Sequence, residues 1–419
     1  MIRNEEVNQI MKILQINSVC DIGSTGRTTR ELAEVLLQEG HECYVAYGYG
    51  NSTYPYSFKI APYIENLFHN AFFTRLLGLH GFGTVRGTRR LVRWIETNKP
   101  DIIHLRNLHA NYLNYPILFN YIIKHNIPVV FTLPDCFNFT GKCSHYTAVG
   151  CYKWKTECGN CPLYRNTTAP STFFDRSKCL FNDKKRYYSK IKNMTIVAVS
   201  KWLKEEAEQS MLNGNGHKIT YVYNWIDYQK FHCATTDEIG SFMKKYNLDP
   251  NYKYLISVSQ GWDKNASRYK DAEKLSKILP SGYKLILVGG LVRNTTIPEQ
   301  IIHIPYINGN AELSAAYSLA EAYIHLSVED TFGKVIAEAM SCGTVPITFD
   351  STACGEVPGP YGIVVKPHDV EAIVESLPRL EKLKKQRDKI VQYVRDNYDY
   401  QTNAHKYIEL YKELLNNKK

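Results

Sequence analysis

Two carboxylates, Asp330 and Glu338, stand in a D-x7-E arrangement inside the stretch from His325 to Gly343, HLSVEDTFGKVIAEAMSCG. A short apolar strand ends near Leu326 and a polar turn follows. A helix is then expected to open around Thr331 to Gly333 and to stop at Gly343 in a left-handed capping position. Such a turn leaves backbone N–H groups at a helix N-terminus, where those donors and the helix dipole stabilise a phosphate. Gly333 lets the backbone approach closely. The spacing predicts one carboxylate at the helix mouth and the other two turns in, both able to accept hydrogen bonds from vicinal sugar hydroxyls.

Thiols form a second constellation. Eleven Cys is an odd number, so complete intramolecular pairing is impossible, which suits a reducing compartment; six of the eleven fall between Cys136 and Cys179. Cys143, Cys151, Cys158 and Cys161 follow one another in loop-like text rich in Lys, Gly and Tyr. Four thiolates suit a closed tetrahedral zinc that would pin a long loop rather than do chemistry, with free thiols or a labile disulfide as the alternatives. From Leu67 to Ile95, Arg75, Arg86, Arg89, Arg90 and Arg93 occur without an acid among Phe68, Phe72, Phe73, Phe82 and Trp94. That mixture can rest on anionic lipid headgroups and would suit an enzyme whose acceptor is anchored in a bilayer; a helix pair with a solvated Arg face is the plainer account. No D-x-D metal site, Ser-His-Asp set or H-E-x-x-H helix is present.

These residues need elements to position them. The chain has 419 residues, 44% apolar and 22% charged, enough for two or three globular domains. Its 51 Lys and Arg against 41 Asp and Glu give a net charge of +10, which favours anionic partners. Strands are expected at Lys12 to Ile16, Cys43 to Ala46, Ile102 to Leu105, Pro128 to Thr132 and Thr195 to Val199. Helices at Arg30 to Leu37, Val85 to Glu96 and Tyr115 to Lys124 separate them, and Gly23 to Gly26 reads as a glycine loop after the first strand. The text changes between Tyr221 and Phe231. A second alternation then places strands at Tyr254 to Val258, Lys284 to Val288 (ending in Gly289 and Gly290), Ile301 to Ile304, Ala322 to Leu326, Val345 to Phe349 and Gly362 to Val365. The final helix, Asn403 to Asn416, sets Ala404, Tyr407, Ile408, Tyr411, Leu414 and Leu415 on one face that must dock. Two α/β units follow from this pattern, with binding loops at the carboxyl ends of their strands, presented to a shared cleft.

The run from Glu329 to Gly343 resembles the E-x7-E motif of the retaining glycosyltransferases of family 4, often written E-[ED]-T-F-G-x-V-I-A-E-A-x-A-x-G, with Asp330 where the first Glu is usual. The resemblance covers most of the chain and includes Gly23 to Gly26, the N-W-I-D text at Asn224 to Asp227 and the last helix. Ile102 to Cys161 looks like a subgroup that builds bacterial capsule, O-antigen and exopolysaccharide. It implies an α/β fold of the GT-B type: an acceptor-binding Rossmann-like domain over 11–223, a donor-binding one over 224–399, and 400–419 packing back on the first. It further implies that Asp330 contacts the donor sugar, that Glu338 contacts the nucleotide ribose, and that Thr331, Phe332 and Gly333 hold the diphosphate in a nucleotide site shared with Gly23, Gly26 and Gly289.

Cations that offset the leaving diphosphate are sought in Ser259 to Asp271, similar to the family's Arg/Lys pair before a helix; Arg268 and Lys270 fit, with Lys264 in reserve. Gln260 occupies the place of the usual early Arg. On the acceptor side, Asp101 to Arg106 resembles D-V-V-H-x-H with Arg106 at the second His, and Pro134 stands where T-L-H-D has His. His109 is the candidate to replace that imidazole, against a purely structural role, and Asp135 is the candidate to polarise the acceptor hydroxyl. The resulting expectation is a hexosyltransferase-type enzyme that needs no catalytic metal or cofactor. It would move a sugar from a nucleotide diphosphate donor to a lipid-linked oligosaccharide, with retention implied by the resemblance. A sugar-nucleotide epimerase of the same fold, or a zinc-containing nucleic-acid-binding protein, is the alternative; nucleic acid is not the expected partner. No window is apolar enough to span a bilayer, and the polar start, Met1 to Ile10, lacks a signal-peptide pattern, so a cytoplasmic protein at the inner membrane face is expected.

Overall fold

The computed structural model describes residues 10–416 except 293, 294 and 308; Met1 to Gln9, most of the polar start, lie outside the described residues. The chain divides into two compact units, residues 1–222 with 401–419, and residues 223–400.

The first unit contains β1 (Lys12–Val19), α1 (Gly23–Gln38), β2 (Glu42–Tyr49), β3 (Ser57–Lys59), α2 (Tyr63–Phe68), α3 (Val85–Asn98), β4 (Ile102–Leu105), α4 (Tyr115–His125), β5 (Val129–Leu133), α5 (Ser177–Tyr188), β6 (Met194–Ala198), α6 (Lys201–Glu208) and β7 (Lys218–Tyr221). Its sheet is parallel throughout in the order β3-β2-β1-β4-β5-β6-β7. Every residue of β4, β5 and β6 is buried, as befits strands covered on both faces by helices. The strand order reverses between β1 and β4, the position where open α/β sheets bind ligands.

The second unit contains α7 (Thr236–Lys245), β8 (Lys253–Trp262), α8 (Ser267–Ile278), β9 (Tyr283–Leu291), β10 (Ile301–Ile304), α9 (Asn310–Leu319), β11 (Ala322–His325), α10 (Lys334–Ser341), β12 (Pro346–Phe349), β13 (Ile363–Val365), α11 (Val370–Lys384) and α12 (Arg387–Tyr398). Its parallel sheet runs β10-β9-β8-β11-β12-β13, with the switch between β8 and β11. The last helix, α13 (Tyr400–Asn416), buries Ala404, Tyr407, Ile408, Tyr411 and Leu414, while Leu415 is half-buried.

Three local expectations change. Gly23 to Gly26 is the first turn of α1 rather than a loop. A Cβ on Gly26 would lie 3.1 Å from Cγ2 of Val19, so this glycine lets the helix start against the end of β1. Ser259 to Trp262 continues β8 through an irregularity between Val258 and Gly261, and β9 runs on through Gly289 and Gly290 instead of ending before them. A Cβ on Gly289 (φ +130°) would sit 1.9 Å from the carbonyl oxygen of Ser259, so only glycine allows the two strands to close there. The short strands β3 and β7 were not expected, because each lacks the continuous apolar run that marks a buried strand.

Candidate functional site

The turn between β11 and α10 is built around Gly333, which caps α10 in the left-handed region at φ +74° with no side-chain cap. A Cβ there would also meet Ile336 Cδ1 at 2.7 Å. Because the helix begins only at Lys334, Glu338 lies about one turn inside it and not two as the sequence suggested. Its side chain is buried, and its charge adds to burial in pushing up the hydroxyls of Tyr317 and Tyr323. Asp330 sits at the mouth. His325 Nε2 is 2.9 Å from Asp330 Oδ2, and His325 Nδ1 is 2.9 Å from the Tyr323 hydroxyl. The Asp330 N–H donates to Thr352 Oγ1 at 3.1 Å, and Ala353 N–H donates to the Asp330 carbonyl at 3.2 Å.

Burial works against a charged His325, but Tyr323, Cys354 and the Asp330 carboxylate outweigh it and hold the imidazole well above its ordinary range. His325, Asp330 and Cys354 bring three donor atoms within 4.8 Å of one another. The Phe332 ring is buried against Tyr223 and Tyr398, leaving its backbone for the turn, and Thr331 is half-buried. His325 and Thr352 are not among the expected site residues. His325 carried a signal as the polar last residue of an apolar strand; Thr352 carried none, because a separate loop at φ +51° delivers it.

Arg268 and Lys270 are inside α8 rather than before it, two positions apart, and so on largely opposite sides of the helix. Arg268 Nη1 donates to Ser259 Oγ at 3.0 Å, which holds it over the end of β8. Arg268, Lys270 and Lys264 are all exposed, Lys264 in the turn ahead of α8. Gly289 is accounted for by its closeness to Ser259.

In the first unit, Arg106 turns inward and is 5% exposed, its guanidinium donating to Gln15 Oε1 at 3.2 Å and Thr28 Oγ1 at 2.9 Å. His104 is fully buried between Tyr411 hydroxyl and Thr132 Oγ1, each at 2.7 Å, and ties α13 to the sheet. His109 and Asp135, proposed separately, come together: His109 Nε2 is 3.0 Å from Asp135 Oδ2, His109 half-buried and Asp135 buried, and Phe137 N–H donates to Asp135 Oδ1 at 2.8 Å. Burial pushes the Asp135 carboxyl up, yet His109 and the Phe137 N–H outweigh it and hold it below its ordinary range. The pair suits orienting and polarising a hydroxyl. Gly23 opens α1 with nothing within 4 Å of a would-be Cβ, and α1 has no side-chain cap and no acid in its first turn.

Cys143, Cys151, Cys158 and Cys161 all line one small cavity beside Trp154. Phe68 and Phe72 stack at 5.3 Å and stay exposed, together with Tyr63, Ile64 and Leu67. Beside them Arg86, Arg89, Arg90 and Arg93 of α3 line a groove of about 1090 Å³ with Leu67 and Phe68. Trp94 instead packs against Tyr44 and Phe58, each at 5.0 Å.

Residues 25–230 match the family described as Glycosyltransferase Family 4, and residues 239–397 match Glycosyl transferases group 1. An Escherichia coli protein named "Putative colanic acid biosynthesis glycosyl transferase WcaC" is 23% identical over 83% of this chain and 85% of its own. A glycosyltransferase structure from Rickettsia africae aligns with TM-score 0.69 at 16% identity over 97% of this chain and 99% of its own. Anabaena HepE in complex with UDP-glucose aligns with TM-score 0.64 at 12% identity over 96% of this chain and 100% of its own. The likeness in fold therefore extends over both units.

Proposed function

Because the chain belongs to the family 4 glycosyltransferases of GT-B architecture, we propose that it transfers a hexose, with retention, from a nucleotide diphosphate sugar to a hydroxyl of a lipid-linked oligosaccharide in bacterial surface polysaccharide synthesis. The observation that carries this reading is the capless, glycine-started α10 with Asp330 fixed by His325 at its mouth and Glu338 buried one turn in. The backbone of Thr331 to Gly333 and the start of α10 would hold the diphosphate, Glu338 the ribose hydroxyls and Asp330 the hexose hydroxyls. Arg268, held at the end of β8 by Ser259, would offset the charge that grows on the diphosphate as the glycosidic bond breaks. His109 and Asp135 would orient the acceptor hydroxyl. Its proton passes to the departing diphosphate on the same face while the oxocarbenium-like carbon is captured, which accounts for retention. No step in this scheme requires a metal.

HepE, whose structure holds UDP-glucose, makes UDP-sugars the first donors to try. The unpartnered face of Phe68 and Phe72 beside the α3 arginines supports work at an anionic membrane surface, the inner leaflet of the cytoplasmic membrane. Thermal midpoints of the purified protein with UDP, GDP, ADP and CMP test the donor site, since a bound ligand raises the midpoint by mass action. Selective stabilisation by one nucleoside diphosphate, lost in Glu338→Ala, is expected. No shift with any of the four at millimolar concentration would overturn the donor site.

A further inference from the structure

The segment between β5 and α5, residues 134–176, holds only single 3₁₀ turns at Cys136–Asn138, Thr147–Val149 and Lys153–Lys155. A loop of this length without helices or strands of its own needs an internal fastening. It has a small aromatic centre, with Trp154 packed at 4.9 Å on Phe139 and at 5.1 Å on Tyr146. Beside it Cys143, Cys151, Cys158 and Cys161, all unpaired thiols, surround a cavity of about 20 Å³, room for one ion or one water. The backbone also comes close to a sulfur: Gly141 N–H donates to Cys158 Sγ at 3.2 Å, and a Cβ on Gly141 would lie 2.5 Å from the carbonyl oxygen of Ser177.

Two buried lysines lie close by, Lys142 in the wall of the cavity and Lys184 behind it on the carbonyls of Thr140 and Gly141. Lys184, 3% exposed, donates to the carbonyl oxygens of Thr140 at 3.0 Å and Gly141 at 3.4 Å, as well as to that of Phe137. Lys142, 1% exposed, donates to Ser171 Oγ at 2.5 Å. These hydrogen-bond partners are neutral, whereas a buried ammonium calls for a compensating negative charge. Burial pushes both ammonium groups below their ordinary range, Lys184 to about 7, and the groups that oppose it are Cys158, Cys143 and Asp135 for Lys184, and Asp175 and Cys161 for Lys142.

We propose that Cys143, Cys151, Cys158 and Cys161 bind one zinc ion as a structural tetrahedral site whose excess negative charge is offset by Lys142 and Lys184. Binding releases four thiol protons, and four thiolates around Zn²⁺ leave a net charge of two minus, which two ammonium groups balance; nothing is oxidised or reduced. The sulfurs do not converge as closely as the donor atoms of His325, Asp330 and Cys354, and a Zn–S distance of about 2.3 Å would draw them onto a common centre. The metal would fasten the loop that begins beside Asp135.

The test is elemental analysis of the full chain, produced in zinc-supplemented medium and purified without a metal resin. About one zinc per chain is expected, together with the strong visible absorption of a tetrahedral thiolate site after exchange with Co²⁺. Cys158→Ser should lower zinc to under about a tenth of an equivalent. Cys179→Ser, which alters an exposed thiol outside the cavity, should leave it unchanged. Lys184→Met should weaken zinc binding by about tenfold or more. Should the serine variant fail to fold, the cobalt spectrum of the wild-type chain still decides. Wild-type protein without zinc, four freely reactive thiols in its presence, a disulfide among the four, or bound iron would each overturn the proposal.

Discussion

Asp330 and Glu338 share a motif but not an environment. Asp330 is fixed by His325 and remains open enough to reach a ligand, whereas Glu338 is 6% exposed and positioned by its helix. Glu338→Ala should therefore lower turnover on the order of a hundredfold, by analogy with the loss of one preorganised contact; steady-state kinetics with a sugar donor of the nucleotide that raises the thermal midpoint measures it. Arg268→Ala should cost more than Lys270→Ala, because only Arg268 is held at the end of β8; equal losses would return Lys270 to the site. For His109 and Asp135 the expected result is non-additive: the double variant His109→Gln, Asp135→Asn should transfer no more slowly than the worse single variant. Asp135 also contributes to stability with a definite sign. Its folded carboxyl lies below its ordinary value, so that stability is fully present above the ordinary carboxylate range and is lost as pH falls through the depressed value. Urea midpoints across the acid range should fall less steeply in Asp135→Asn than in the wild type.

Two elements depend on single contacts. The β8–β9 pair closes beyond Val258 only because residue 289 has no side chain, since any Cβ would overlap the Ser259 carbonyl. Gly289→Ala should destabilise the second unit by more than about 3 kcal/mol, because the backbone must move to admit the Cβ; chemical denaturation measures it. The docking of α13 rests on a buried polar group rather than on apolar surface alone. His104 is held by the Tyr411 hydroxyl and by Thr132, and Thr132 is also 2.9 Å from the Tyr407 hydroxyl. Tyr411→Phe leaves a buried ring nitrogen without its partner and should cost about 1–3 kcal/mol. That position explains why the first His of the sequence signature is structural here, and why Arg106, turned toward Gln15 and Thr28, does not stand in for the second.

For the whole molecule the distribution of charge bears on where it works. The net charge of +10 is spread over the chain, but four arginines of α3 gather beside exposed Phe68 and Phe72. Replacing Arg86, Arg89, Arg90 and Arg93 by Ala should weaken binding to anionic vesicles by about 1 kcal/mol per charge, and added salt should weaken the wild type likewise. Cosedimentation with such vesicles measures both, and equal binding by the variant would leave the arginines a solvated helix face. The alternation of apolar strands and amphipathic helices, and the fifteen residues from Glu329 to Gly343, were enough by themselves to determine two parallel α/β units and the family, because both signals are local and periodic. Sequence alone left open which polar residues meet. The His109–Asp135 pair joins the ends of different strands; His325 reaches Asp330 from a strand end and Thr352 from a separate loop; Arg268 and Lys270 part around a helix; and four thiols gather around one cavity with the buried Lys142 in its wall. Those are decisions of tertiary structure, because contacts across the chain follow from how strands and loops pack and not from the order in which their residues occur.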